Sequence, residues 1–304
     1  GSSARSTLRK EELAAVRDLA MRQAGLEIDA NDQARVERVL RERMRDLGEN
    51  DLGRYVRELA DPSQSDEARR VVEGLLNHET YFFRELGQLG VFRDYVMPEL
   101  AETRPDRKLY LWSAGCSTGE EAYTIAMMVL DSGLFDGWSV RVLGTDVSRR
   151  VLAEARQAVY GPSSFRAMPD GWRERFFVRQ RDRYEVVARA RGLCQFAQVN
   201  LLDESRLSLV GQADVIFCRN VLIHLDDSAR ARVLATFHDR LRPGGWLLLG
   251  HSEGMLPSGT PLRACRLGEE LVHRKGSTSE APAAPDGPSQ PAPVRAPMTG
   301  AGGR

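Results

Sequence analysis

Neither sign of charge is in excess: 43 lysines and arginines stand against 43 aspartates and glutamates, for a formal net charge of zero. No global field therefore draws the chain to nucleic acid or an anionic membrane, and any basic surface must be local. Cysteine is scarce. Cys116, Cys194, Cys218 and Cys265 stand alone without a CxxC pair, which indicates neither a zinc site nor a disulfide framework and suits a reducing compartment. Long apolar runs are missing as well; stretches such as Tyr123 to Leu130 and Trp246 to Leu249 are far too short to span a bilayer. No apolar signal region opens the chain, so the expected location is the cytoplasm, without membrane insertion. There is no internal repeat either.

What is present is concentrated in Leu111 to Glu121, LWSAGCSTGEE. Tyr110, Leu111 and Trp112 read as the end of a buried strand. Gly115 and Gly119 let the backbone bend tightly, and Thr118 is expected to cap a helix entered through Glu120 and Glu121. A phosphate-binding loop would leave bare N–H groups here or place a lysine. Two carboxylates argue instead for a ligand presenting a cation and hydroxyls, and S-adenosylmethionine fits that description.

From Thr7 to Ala101 apolar residues recur at three and four spacing, the pattern of a helical domain with a linker helix. After the break at Arg104 to Arg107, strand patterns alternate with helices, which predicts a parallel sheet over residues 102–275. The expected strands are Leu109 to Ser113, Val140 to Thr145, Cys194 to Val199, Asp214 to Cys218 and Trp246 to Gly250, with a closing pair within Leu256 to Arg274. Between Phe176 and Ala188, FFVRQRDRYEVVA reads as two short strands around a polar turn, an antiparallel subdomain inserted at about 165–192. Residues 276–304 are rich in Pro, Ala and Gly and lack apolar anchors, so they are expected to be disordered.

Several residues then fall at strand ends, where open α/β sheets bind ligands. VRVLGTD ends in Asp146, which either takes ribose hydroxyls or caps the helix VSRRVLAEAR; its distance from Gly119 exceeds the usual spacing of about 20 residues. In VNLLD, Asn200 and Leu201 either bracket a purine or are a turn asparagine beside a core leucine. VIFCRNVLIHLD ends a strand in Arg219 and Asn220, with His224 a turn later. LRPGGWLLLGHSE places a Pro-Gly-Gly turn before the fifth strand.

Taken together, NHETYFFRE (77–85), WSAGCSTGEEAYTIAM (112–127), GTDVS (144–148), VNLL (199–202), IFCRNVLIHLD (216–226) and LRPGGWLLLGHSE (241–253) resemble the chemotaxis receptor glutamate methyltransferases, the CheR family. The six segments occur in the family's order, and the resemblance runs from about Leu13 to Arg274. It implies a Rossmann-like class I S-adenosylmethionine-dependent methyltransferase fold with an N-terminal all-α domain and a small inserted antiparallel β-subdomain. It also implies S-adenosylmethionine as cofactor, S-adenosylhomocysteine as product, and glutamates on receptor cytoplasmic helices as substrate.

By position, the resemblance implies cofactor contacts at Thr80, Arg84, Glu120, Asp146, Asn200, Leu201, Arg219 and Asn220, with Glu120 on the methionine ammonium and Asp146 on the ribose. Arg84 and His224 are its implied catalytic residues, with no metal. Many members have tyrosine at the position of His224, on the substrate side of the cleft, so protonation would matter newly here. In some relatives the β-subdomain grips a tethering peptide at the receptor C-terminus through an enlarged glycine-containing loop. RQRDRY is compact and lacks glycine, which predicts independence from such a peptide. On ARVERVLRERMRDL, Arg35, Arg38, Arg41 and Arg45 form one face opposite Val36, Val39, Leu40, Met44 and Leu47. That stripe is either a docking face for an acidic receptor helix or ordinary solvated surface. The alternative functions are a module that senses S-adenosylmethionine without catalysis and a methyltransferase of another substrate class, nucleic acid being disfavoured by the neutral charge.

Overall fold

The computed structural model describes residues 8–29, 32–76, 78–208, 210–257 and 259–277. Thr7, Asn77 and the expected disordered tail from residue 278 onward lie outside the described residues.

Four helices come first, α1 (Lys10–Ala24), α2 (Gln33–Leu47), α3 (Leu52–Glu58) and α4 (Ser65–Leu75). Each turns an apolar stripe inward, and Val16, Val36, Leu40, Tyr55, Val71 and Leu75 share one buried cluster. On α2 the expected inner face holds for Val36, Val39, Leu40 and Met44, but Leu47 is 54% exposed. It is the last helical residue before Gly48 reverses the chain in the left-handed region.

A long helix follows, made of α5 (Leu86–Val91), a widened π turn (Phe92–Val96) and α6 (Met97–Thr103). The widened turn lies just before Pro98, which supplies no amide donor to the ladder. Phe92, Val96 and Met97 are buried in the same cluster as the sheet residues Leu109, Leu111 and Phe217. The long helix thus packs into the core of the sheet.

The strands are β1 (Lys108–Ala114), β2 (Ser139–Asp146), β3 (Val159–Tyr160), β4 (Phe177–Gln180), β5 (Arg183–Val186), β6 (Cys194–Gln198), β7 (Ala213–Cys218), β8 (Leu241–Leu249), β9 (Arg263–Leu267) and β10 (Glu270–Arg274). Seven form one sheet in the order β6-β2-β1-β7-β8-β10-β9. The first five pair in parallel, and β10 pairs antiparallel with both β8 and β9. Every residue of β7 is buried, as a central strand covered on both faces requires. Helices α7 (Glu120–Ser132) and α8 (Arg149–Gln157) follow β1 and β2, and the short α9 (Trp172–Phe176), α10 (Ala188–Arg191) and α11 (Glu204–Leu207) lead to α12 (Asp227–Arg240) after β7. The strand order reverses between β1 and β7, so the carboxyl ends of those strands open a crevice there.

Two details differ from the sequence expectation. The Pro243-Gly244-Gly245 segment lies inside β8, where the pairing with β7 shifts register between Ala213 and Val215. The closing pair falls within the expected stretch, as β9 and β10. The inserted sheet has three strands, β3-β5-β4, and starts with Val159–Tyr160, ahead of the expected boundary at 165. Two residues are too short a run for periodicity to register, and β3 is held by pairing to Tyr184 and Glu185.

His273 is a titratable group left in this core. It is 1% exposed on β10, its Nδ1 has no partner, and burial pushes its pKa down from 6.5 to about 4. The fold therefore accepts only the neutral ring, whereas the unfolded chain takes a proton below 6.5. Stability due to this group is complete above that pH and is lost as pH falls toward 4, on the order of 3 kcal/mol in all. Urea midpoints of wild type and His273→Leu measured from pH 7 to 4 should diverge over this window, the variant losing less on acidification; parallel curves would exclude the effect.

Candidate functional site

The crevice at the strand-order reversal is a cleft whose walls come from both parts of the chain. Ala24, Leu26 and Leu76 of the bundle line it together with the 78–84 loop, the turn after β1 and the ends of β2, β6 and β7. Hydrogen bonds around its rim tie the two parts together. Asn200 Nδ2 donates to the Gln23 carbonyl at 2.7 Å, the Glu27 N–H to the His224 carbonyl at 2.9 Å, and Ser148 Oγ to Glu73 at 3.1 Å.

The turn after β1 is built by its two glycines. Gly115 (φ +81°) lies where a Cβ would fall 2.4 Å from Val221, and Gly119 (φ +94°) where one would meet Ala155 at 2.9 Å. The amides of Gly115 and Cys116 both donate to the Thr145 carbonyl at 2.8 Å, pinning the turn to β2. The Asp146 carboxylate completes the arrangement, accepting from the Ser117 N–H at 2.9 Å and the Ser148 N–H at 3.0 Å. Ser148, not Asp146, caps α8. Two backbone donors thus fix Asp146 at the cleft edge with its remaining lone pairs available to hydroxyl groups.

The acidic pair opening α7 divides its duties. Neighbouring residues on a helix point about 100° apart, so one side chain faces the cleft and the other faces away. Glu121 lines the cleft. It accepts from Ser113 Oγ at 2.6 Å and lies 3.2 Å from Arg219 Nη1. Burial raises its pKa above the usual carboxylate range, with Arg219 and Ser113 opposing the rise. Glu120 is absent from the cleft lining; Thr118 Oγ1 donates to it at 2.6 Å and Ser164 Oγ at 3.0 Å, so it ties the turn to the inserted subdomain. Thr118 is accordingly no helix cap, and Gly119 occupies the cap position.

Thr80, Arg84, Asn200, Leu201, Arg219, Asn220 and His224 all line the cleft, so of the residues expected from sequence only Glu120 is turned elsewhere. Arg84 donates to the Glu79 carbonyl at 2.8 Å, and its guanidinium carbon lies 5.7 Å from the centroid of the Tyr81 ring. Phe82 and Phe83 are buried, Phe82 packing edge-on against Tyr160 and Phe177. Half-buried His224 has its pKa lowered by burial and by Arg35 and Arg84, with Glu253 and Asp32 opposing, so its ring is neutral at pH 7. Asn220 Oδ1 and Arg219 Nε are buried without a hydrogen-bond partner among the described residues.

This arrangement matches the description "CheR methyltransferase, SAM binding domain" over residues 78–267. The chain belongs to the CheR methyltransferase family. It is 33% identical to the chemotaxis protein methyltransferase of Salmonella typhimurium, covering 77% of this chain and 81% of that one. It is 30% identical to chemotaxis protein methyltransferase 2 of Vibrio cholerae, covering 79% and 84%. With a probable biofilm formation methyltransferase of Pseudomonas aeruginosa it shares 34% identity over 85% of its length, and it spans 60% of that longer relative.

S-adenosylmethionine is the cofactor of this family domain, and the cleft suits it. Glu121 and Asp146 present carboxylate oxygens to it and Asn220 an amide. Among the described residues no group of three or more His, Cys, Asp or Glu could hold a metal ion. No helix there is long and apolar enough to cross a membrane.

The amino-acid pattern did not single out Glu121 for the cleft lining, since a doubled glutamate carries no mark of which member faces inward. The distinction appears only once Ser113, Ser164 and Arg219 are in place around the pair. We expect Glu121→Gln to weaken S-adenosylhomocysteine binding about tenfold or more, the scale of a charge-assisted hydrogen bond, and Glu120→Gln to change it less than about twofold. Calorimetric titration of both variants decides, and the reverse order would return the ammonium site to Glu120.

Proposed function

We propose that this chain transfers the methyl group of S-adenosylmethionine to glutamate side chains on the cytoplasmic helices of a chemoreceptor, forming γ-carboxyl methyl esters. The observation that carries this reading is Arg84 in one cleft with Asp146 and Glu121. Carboxylates suit a cationic donor, and an arginine with a forked set of N–H donors suits an anionic acceptor. Relatives named as chemotaxis methyltransferases support the receptor as partner.

When bound, the cofactor supplies a methyl carbon on a positively charged sulfur, which an ionised glutamate oxygen displaces so that both charges vanish. Glutamate is already ionised at neutral pH, so the cleft needs no general base. Positioning is then the main task. Arg84 presents a forked donor pair to the acceptor carboxylate, and alignment of this kind contributes roughly 7–11 kcal/mol in favourable cases. Neutral His224 adds a hydrogen-bond donor on the acceptor side without adding positive charge beside the sulfonium.

On α2, Arg35 pairs with Asp32 and Arg41 with Glu37, while Arg38 and Arg45 stay exposed. Half of the stripe is therefore engaged on its own helix, which favours solvated surface over a dedicated docking face. The β4–β5 hairpin closes through Arg181 and Asp182 alone, with Arg181 at φ +58°. This turn leaves no enlarged loop to grip a peptide, which supports methylation without a C-terminal tether.

Incubation with radiolabelled S-adenosylmethionine and membranes of the host should place base-labile methyl on receptor bands. Arg84→Ala should reduce kcat/KM for receptor by about 10- to 100-fold, with Arg84→Lys between the two because a single ammonium lacks the fork. A base-stable label, or label confined to small molecules, would assign another substrate class; binding without any transfer would leave a sensing module.

Calorimetry with an aromatic pentapeptide of the receptor-tail type should detect no binding tighter than about 1 mM. Micromolar binding would refute tether independence.

A further inference from the structure

We propose that Glu85 is a positioning residue of this site: its carboxylate fixes the doubly reversed loop that aims Arg84 into the cleft. The inference rests on Arg84 as the acceptor-holding group and concerns a neighbour that touches neither donor nor acceptor.

The loop holds an unfavourable shape. Phe83 (φ +58°) and Glu85 (φ +53°) both occupy the left-handed region that residues with a Cβ avoid. The two reversals put Phe82 and Phe83 into the core while Arg84, between them and the helix, lines the cleft. Such a conformation persists only where surroundings over-determine it.

Those surroundings converge on Glu85. Its Oε1 accepts from Asn220 Nδ2 at 3.0 Å, its Oε2 accepts from the His251 N–H at 3.1 Å, and Arg219 Nη2 is 3.6 Å from Oε2. Arg219 also donates to the carbonyls of Arg84 and Glu85, so backbone and side chain are held by one guanidinium. On the opposite side the Phe83 N–H donates to Thr124 Oγ1 at 3.2 Å.

The strand-end segments that receive Glu85 are themselves rigid. Buried Glu253 accepts from the N–H groups of Asn220 at 2.6 Å, Gly250 at 3.0 Å and Ile223 at 3.0 Å, which locks the turn after β7 to the turn after β8. Glu85 bridges that locked pair to the Arg84 loop. Replacing it removes the side-chain part of that bridge and leaves the frame and the Arg219 contacts to the loop carbonyls.

The test compares wild type, Glu85→Ala, Glu85→Gln, Arg84→Ala and the double variant Glu85→Ala/Arg84→Ala on host membranes. Glu85→Ala should raise KM for receptor about tenfold with S-adenosylhomocysteine affinity within about twofold, and Glu85→Gln, which keeps an acceptor oxygen, should recover part of the loss. On the Arg84→Ala background the Glu85 substitution should have almost no further effect, since its consequence passes through Arg84. Equal losses on both backgrounds would overturn the inference.

Amide hydrogen exchange of the peptide covering residues 79–86 supplies a readout that needs no receptor. Exchange should be faster in Glu85→Ala than in wild type, and unchanged exchange would also overturn the inference. Should wild type transfer nothing to any receptor, the methylation reading fails while the exchange comparison still decides the role of Glu85.

Discussion

Arg219 is the interaction around which the cleft is assembled. Its side chain is 2% exposed, and a guanidinium so removed from water must be paired. It lies at the tip of β7 and reaches Glu121 on α7 in one direction and the Arg84–Glu85 loop in the other. The wall expected to meet the donor and the loop expected to meet the acceptor therefore share one buried cation. The charge is shared among the Glu121 carboxylate, the Glu85 carboxylate and the carbonyls of Arg84 and Glu85, so the two halves of the cleft meet at one guanidinium.

Carboxylates do a second job here, as acceptors for loop amides. Asp146 takes two N–H groups, Glu85 takes one along with a side-chain amide, and Glu253 takes three. The segments at the carboxyl ends of β1, β2, β7 and β8 bend sharply, so their amides find no ladder partner, and an unpaired buried donor is costly. An ionised carboxylate with two oxygens satisfies several at once and leaves lone pairs for a ligand. The same chemistry that closes the turns makes the cleft attractive to a cation.

What the amino-acid pattern conveys follows from how local each signal is. The parallel strands and the Gly115–Gly119 turn were readable because burial of β1 and β7 imposes continuous apolar runs and the turn needs positive φ. Asp146 was readable as a candidate but not decidable, because the amides that orient it come from Ser117 and Ser148 on different elements. Glu120 and Glu121 are identical as letters, and only their partners across the fold separate them. Glu85 carries no local mark at all: Asn220, His251 and Arg219 reach it from far along the chain. Leu47 and the β3 strand failed for the opposite reason, since position relative to a neighbouring element decides their burial and pairing. Side-chain direction and long-range partnership are what the linear pattern withholds.

Charge bookkeeping also bears on turnover. With a glutamate acceptor, the groups that recognise the reactants meet ions before transfer and neutral groups after it. On the proposed reading Arg84 would face a carboxylate in the substrate and an ester in the product, and a hydrogen bond to an ionised acceptor is about twice as strong as one to a neutral acceptor. The acidic wall likewise loses the sulfonium charge once the carbon–sulfur bond has broken, although the ammonium stays. Each step of attraction that gathers the reactants is weakened by the reaction itself, so a cleft built from buried charges need not hold its products. A site of the same shape lined by apolar groups would bind ester and thioether at least as well as their charged precursors, and would lack this built-in release.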